Sequence, residues 1–149
     1  MTCAVLYFTR TGNCRKVAEK IASQIGVKAI EINDHRNWDG VIGYIKAGFY
    51  SSSNKNVTIA VSDEYINADQ YIVVSPIWAG KPAPAIHAFL KLVDVGKVNL
   101  VLDCLGSDTN ASFINYENKF GKLKGKFGIV KKLNNEDTVI SEIVKAVKA

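Results

Sequence analysis

Histidine and cysteine, the side chains that most often bind metals or form disulfide frameworks, are scarce in this sequence. It has two histidines and three cysteines in 149 residues, and the cysteines show no C-x-x-C spacing. An odd cysteine count without this spacing favours a reducing compartment. His35 and His87 stand apart, without the spacing of metal ligands. We therefore expect no metal site, no disulfide framework and a cytoplasmic location.

Long apolar runs and the common nucleotide-binding motifs are also lacking. No apolar stretch reaches the ~18 residues that a bilayer crossing needs, and the apolar residues 3–8 are too few, with no basic region before them, for a signal peptide. Neither G-x-G-x-x-G nor G-x-x-x-x-G-K-[ST] occurs. We expect no membrane span and no catalytic residue, so that any chemistry would belong to a cofactor.

Acidic residues are too few to balance the basic ones. The formal net charge is +5, from 19 basic and 14 acidic residues, and the excess lies in the last third of the chain. Such lysines favour either a solvated face or a docking face for an acidic partner or a phosphorylated substrate. Nucleic acid is a weaker third reading, because the lysines are not interleaved with aromatics in a module pattern.

The remaining sequence is that of a globular α/β protein. An apolar content of 48% and a length of 149 residues suit one compact domain, which we predict to span residues 1–149 as a monomer. Short apolar runs alternate with segments of helical periodicity, a pattern that requires a parallel sheet with right-handed crossovers. We predict a three-layer α/β/α fold with a five-stranded parallel sheet in the order 2-1-3-4-5.

The predicted elements follow from apolar periodicity and turn residues. Strands are predicted at residues 3–8, 27–32, 71–75, 98–103 and 126–130. Helices are predicted at residues 16–25, after Pro84, around residues 113–120, and after Asn134 or Asn135. Residues 33–60 are the least regular part, with a short helix near residues 44–50 and an extended segment at residues 57–61.

In this strand order, the loops after the first, third and fourth strands meet at the carboxyl edge of the sheet. We predict that these three loops form a binding site, and that they hold a cofactor. Their residues are Thr9, Arg10, Thr11, Gly12, Asn13 and Cys14, then Pro76, Ile77, Trp78, Ala79, Gly80 and Lys81, and then Cys104, Leu105, Gly106, Ser107 and Asp108.

The first loop has the composition of an anion-binding turn. It joins an apolar strand to a helix, whose first-turn N–H groups lack partners within the helix and whose dipole adds partial positive charge. Thr9, Thr11 and Asn13 can each donate to a phosphate oxygen, and Gly12 allows a close approach of the backbone. An ordinary capped strand-to-helix turn is the alternative reading.

The T-x-T-G-x-[C] spacing of this loop resembles the phosphate loop of the flavodoxins. The segment from Tyr71 to Pro84, with its P-x-W-A-G stretch, is similar to that of small flavodoxin-like proteins. The resemblance implies an FMN site, with Trp78 packed on the flavin ring and the Ala79–Gly80 peptide able to flip toward flavin N5. This chain departs from the family at Cys14, where Thr or Ser is usual, so we expect a weaker hold on the phosphate.

The third loop matches the family less well. It offers backbone donors for the flavin carbonyls but no aromatic side chain, so the second face of the ring is left open. Phe49 or Tyr50 could cover that face, or could serve only local packing. Cys14 and Cys104 can equally be small buried filler.

The resemblance implies an FMN-binding protein that carries electrons between redox partner proteins. Two alternatives stay open: an FMN-dependent NAD(P)H:quinone-type oxidoreductase, and a binding module of the same fold without flavin. The sequence offers no second subdomain to build a substrate pocket, which favours the carrier. The basic charge balance counts against it, because carriers of this family are usually acidic.

Overall fold

The computed structural model describes residues 2–8, 12–32, 68–78, 81–82, 84–106 and 108–148. Six strands and four α-helices are described, and they alternate along most of the chain. The strands are β1 (Cys3–Tyr7), β2 (Ala29–Glu31), β3 (Gln70–Trp78), β4 (Lys81–Pro82), β5 (Val98–Cys104) and β6 (Gly125–Val130). The helices are α1 (Asn13–Ile25), α2 (Pro84–Leu90), α3 (Thr109–Phe120) and α4 (Glu136–Lys148).

The sheet runs in the order β2-β1-β3-β5-β6, and neighbouring strands in this path are parallel. The two-residue β4 lies off the path and pairs antiparallel with the end of β3. With β4 set aside, this is the predicted five-stranded order 2-1-3-4-5, so the predicted fold class is confirmed. The predicted regions at residues 44–50 and 57–61 lie outside the described residues.

Alternate residues of the central strands fill two cores on opposite faces of the sheet, because successive side chains of a strand point to opposite sides. On one face Leu6, Val73 and Leu100 pack with residues of α2 and α3. On the other face the neighbouring strand residues pack with α1 and α4. These strands are buried on both sides, as a parallel sheet covered by helices requires.

Helix boundaries differ from the prediction in one place that bears on function. Helix α1 begins at Asn13, three residues before the predicted start at Lys16. The first three residues of α1 carry no apolar periodicity, because Asn13 and Arg15 are exposed and only Cys14 is buried. The first turn of α1 is therefore made by residues of the predicted phosphate loop itself.

The connection from β6 to α4 is fixed by one side chain. Asn135 Oδ1 accepts a hydrogen bond from the Val130 N–H at 2.9 Å, and Asn135 Nδ2 donates to the Gly128 carbonyl at 3.1 Å. Asn134, just before it, adopts a left-handed conformation with φ 50°, which Asn tolerates better than most residues. The carboxyl end of β6 is thus tied to the start of the last helix.

We expect Asn135→Ala to lower the free energy of unfolding by about 1–3 kcal/mol, because two backbone groups would lose their partners. Urea denaturation followed by circular dichroism measures the change. Asn118→Ala is the matched control, since Asn118 is exposed in the middle of α3 and Ala favours a helix. Equal losses in both variants would show that the Asn135 bonds contribute nothing specific.

Candidate functional site

Three chain segments end together at the carboxyl edge of the sheet. The register pairs Tyr7 of β1 with Val74 of β3, and Pro76 of β3 with Asp103 of β5. The Phe8 N–H continues the first pairing by donating to the Val74 carbonyl at 3.1 Å. The segments after β1, β3 and β5 therefore leave the sheet side by side, as the predicted convergence requires.

The start of α1 suits an anion. Gly12 is the N-cap residue, with φ 92° in the left-handed region, a conformation that favours glycine. It has no side chain with which to cap the helix, and the Lys16 N–H closes the first turn by donating to its carbonyl at 3.1 Å. The first turn holds no acidic residue. Nothing on these residues opposes a negative charge at the positive end of the helix dipole.

The second segment corrects the sequence prediction. The sequence predicts a strand at residues 71–75 that is closed by Pro76 and followed by a loop over residues 76–82, but β3 continues through Pro76 to Trp78. Trp78 pairs with Lys81, and Ile77 pairs with Pro82, in an antiparallel hairpin. A proline can stand in a strand where its missing N–H is not needed by the ladder. The Trp78 backbone therefore lies in a paired strand beyond the end of β1.

The third segment follows β5 and leads into α3. Cys104 is partly buried, whereas Leu105 and Gly106 are exposed. Asp108 is the N-cap of α3, and its Oδ1 accepts from the N–H groups of Asn110 and Ala111 at 3.0 and 3.3 Å. This carboxylate is thus engaged by the helix, a role that the sequence reading did not assign to it.

Several predicted site residues lie outside the described residues. They are Thr9, Arg10, Thr11, Ala79, Gly80 and Ser107, and the same holds for Phe49 and Tyr50. The assignment of all three segments to a cofactor remains a prediction for these positions and for the described ones.

A buried carboxyl group that the sequence reading passed over lies beside the first segment. Asp103, at the end of β5, is only 5% exposed. Its Oδ2 lies 4.0 Å from Cys14 Sγ, whose thiol donates a weak hydrogen bond to it. Its Oδ1 has no hydrogen-bond partner among the described residues. From the sequence, Asp103 is only the last residue of the strand predicted at residues 98–103, and that position alone gives no sign of burial.

Burial dominates the titration of both groups. Loss of solvation raises the pKa of Asp103, with a further increase from Glu136, although the Lys131 ammonium lowers it. Burial, and then the Asp103 charge, raise the pKa of the Cys14 thiol to about 12. Cys14 is therefore a neutral thiol that faces the core, and its side chain is directed to Asp103.

We searched the described residues for other kinds of site. They contain no group of three or more His, Cys, Asp or Glu side chains that could hold a metal ion. None of the described helices is long and apolar enough to cross a membrane.

A cleft of about 660 Å³ lies at the opposite edge of the sheet, lined by Lys91, Lys119 and Lys122 among others. These lysines follow or end α2 and α3, where a cation complements the helix dipole.

Solved structures share this architecture. A provisionally assigned flavoprotein from Bacteroides eggerthii has a TM-score of 0.68 and 18% identity, over 99% of this chain and 98% of that one. A Lactobacillus acidophilus flavoprotein in complex with FMN has a TM-score of 0.58 and 23% identity, over 93% and 97%. A flavodoxin from the domain Archaea has a TM-score of 0.56 and 16% identity, over the full length of both.

These similarities show that the chain has the flavodoxin-like fold, as the resemblance of its loops implied. At 16–23% identity they establish the fold alone. No protein-family model and no curated protein matches the sequence.

We expect Asp103→Asn to raise the free energy of unfolding at about pH 8, by about 1 kcal/mol, because it removes a charge that is buried without full pairing. The folded-state pKa of Asp103 lies above its ordinary value of 3.8. The protonated Asp103 carboxyl therefore contributes fully to the free energy of unfolding below pH 3.8. This contribution is lost as the pH rises through the folded-state pKa. The advantage of the variant should shrink toward about pH 4, as measured by urea denaturation.

Asp137→Asn is the control for this experiment, because the Asp137 side chain is almost fully exposed. Its effect should stay within about 0.5 kcal/mol throughout the range. A pH-independent difference between Asp103→Asn and the parent protein would contradict the proposed titration of Asp103.

Proposed function

We propose that this protein binds FMN where β1, β3 and β5 end, and that it carries electrons between redox partner proteins. The observation that supports this most directly is the start of α1, where a left-handed glycine precedes a first turn without acidic residues. This is the arrangement that a phosphate group needs. The flavodoxin-like fold brings two further segments to the same edge.

Each segment would contact a different part of the cofactor. Thr9, Thr11 and Asn13, with the first N–H groups of α1, would hold the phosphate. Trp78, carried by the hairpin of β3 and β4, would pack on the flavin ring and exclude water from it. The backbone at residues 105–108 would face the polar edge of the ring. The bound flavin would supply the electron chemistry, and the protein its position and electrostatic surroundings.

Cys14 would contribute through its backbone N–H alone. The Sγ atom is directed to Asp103 inside the core, so the side chain would not replace the hydroxyl that flavodoxins usually have at this position. A phosphate dianion at the start of α1 would also be repelled by a charged Asp103. The raised pKa of Asp103 reduces this repulsion, because it favours the neutral carboxyl.

An FMN-dependent oxidoreductase of the NAD(P)H:quinone type is the alternative to the carrier function. Mixing the FMN-loaded protein with NADPH under anaerobic conditions separates the two. Flavin bands that persist with NADPH but bleach with dithionite are expected for a carrier. Bleaching by NADPH alone would identify an oxidoreductase of the NAD(P)H:quinone type. Failure to bind FMN at all would leave a binding module without flavin.

Riboflavin should bind at least about 100-fold more weakly than FMN, because it lacks the phosphate and so loses several charge-assisted hydrogen bonds at about 1.5–3 kcal/mol each. Quenching of flavin fluorescence on titration with protein measures both affinities. Thr11→Ala should weaken FMN binding and leave riboflavin binding nearly unchanged.

Thr138→Ala is the matched control for Thr11→Ala, since Thr138 is exposed in α4. It should alter neither affinity. Equal affinities of the parent protein for the two flavins would rule out a phosphate site in the first loop.

A further inference from the structure

Two of the most exposed large apolar side chains of the described residues lie close to the third segment. Leu105 is 66% exposed and Leu133 is 68% exposed. Leu105 follows β5, and Leu133 ends the short 3-10 helix Lys131–Leu133 that follows β6. A single exposed leucine is ordinary on a protein surface, but two on adjacent connections call for an explanation.

The two connections are held against one another. Strands β5 and β6 are neighbours, with Cys104 opposite Val130. Beyond their ends, the Lys132 N–H donates to the Leu105 carbonyl at 3.0 Å. The Lys132 side chain crosses Gly106, where an added Cβ would lie 2.8 Å from Lys132 Cδ and 3.5 Å from its Nζ. We call the surface made by Leu105, Gly106, Lys131, Lys132 and Leu133 the lysine ridge.

The lysine ridge forms no ion pair within the described part of the chain, although Lys131 lies close enough to Asp103 to lower the pKa of that carboxyl. Lys131 and Lys132 are exposed, and no carboxylate of the described residues forms an ion pair with either ammonium. The acidic residues that follow in the sequence, Glu136 and Asp137, face Lys20 of α1 instead, at 2.5 and 3.9 Å. Both lysines of the ridge therefore present their charge to solvent.

The backbone that carries the ridge is fixed before any partner arrives. Asn135 ties the segment after Lys131–Leu133 back to β6 through its two hydrogen bonds, and the Lys132–Leu105 bond closes the other side. A surface that is ordered in advance loses less entropy on association. The ridge can therefore support recognition with a small contact area.

We propose that the lysine ridge is the docking surface for an acidic electron-transfer protein. Exposed leucines next to unpaired lysines match a partner whose contact region has an apolar centre and an acidic rim. The ridge includes Leu105 and Gly106 of the third segment, so a partner seated on it would lie beside the cofactor. In this respect the inference rests on the proposed function. One electron would leave the reduced centre of the partner and enter the flavin.

A plant-type [2Fe–2S] ferredoxin is a suitable probe, because it is a strongly acidic one-electron donor of low potential. Stopped-flow absorbance follows its oxidation by the FMN-loaded protein. The second-order rate constant should fall as ionic strength rises, because salt screens the attraction. Lys131→Glu/Lys132→Glu should lower the rate at least about tenfold at low ionic strength, and the two proteins should converge at high salt.

Lys28→Glu/Lys97→Glu provides the matched control. Both lysines are exposed, and they immediately precede β2 and β5, at the opposite edge of the sheet. Each double variant makes two changes of −2, so both lower the formal net charge from +5 to +1. Equal slowing by the two double variants would show that net charge alone matters, and would overturn the proposal.

The apolar part of the ridge is tested separately. Leu105→Ser/Leu133→Ser should slow the reaction at all ionic strengths and leave its dependence on salt unchanged, since it alters no charge. A full rate in this variant would exclude the leucines from the contact.

A measurement without flavin separates this proposal from the proposed function. Oxidised ferredoxin is titrated into the ¹⁵N-labelled apoprotein, and amide signals of Leu105 and Lys131–Leu133 should shift or broaden first. If FMN fails to bind while these signals respond, the docking surface stands and the electron-carrier function falls. If ferredoxin perturbs the amide signals of other residues instead, the proposal is wrong. It is also wrong if anionic phosphatidylserine vesicles perturb the signals of the ridge while ferredoxin does not.

Discussion

Parallel pairing of β1, β3 and β5 is the constraint on which the site depends. Because the strands share one direction, their carboxyl ends emerge at a common edge, and segments far apart in the chain become neighbours. The register fixes this at the level of residues, with Tyr7 opposite Val74 and Pro76 opposite Asp103. The strands hold that register because both of their faces are buried against helices, and a slip by one residue would exchange the two cores.

Much of the fold could be predicted, because periodicity reports burial. The run from Val98 predicts a strand, and the apolar spacing in α4 predicts a helix, since both patterns arise from the packing that the structure shows. The early start of α1 was missed for the same reason. Asn13 and Arg15 are exposed, so they carry no periodic signal, although they form the turn with most bearing on function.

Features that depend on contacts between distant segments could not be predicted from the sequence. The sequence predicts that a strand ends at Pro76, because a proline usually interrupts a ladder. The pairings of Pro76 with Asp103 and of Trp78 with Lys81 show that the strand continues. Asp103 carries no local sign that Cys14, 89 residues away, lies against it. Lys131 and Lys132 were grouped with all the late lysines. Two contacts distinguish them from the other lysines. The Lys132 N–H donates to the Leu105 carbonyl, and the nearby Glu136 and Asp137 form ion pairs with Lys20 instead.

The contact between Gly106 and Lys132 has a consequence for the position of a charge. A methyl group at position 106 would lie 2.8 Å from Lys132 Cδ. Because the lysine side chain is flexible and exposed, it would turn aside rather than block the methyl group. A larger residue at position 106 would therefore move the Lys132 ammonium across the surface without removing its charge.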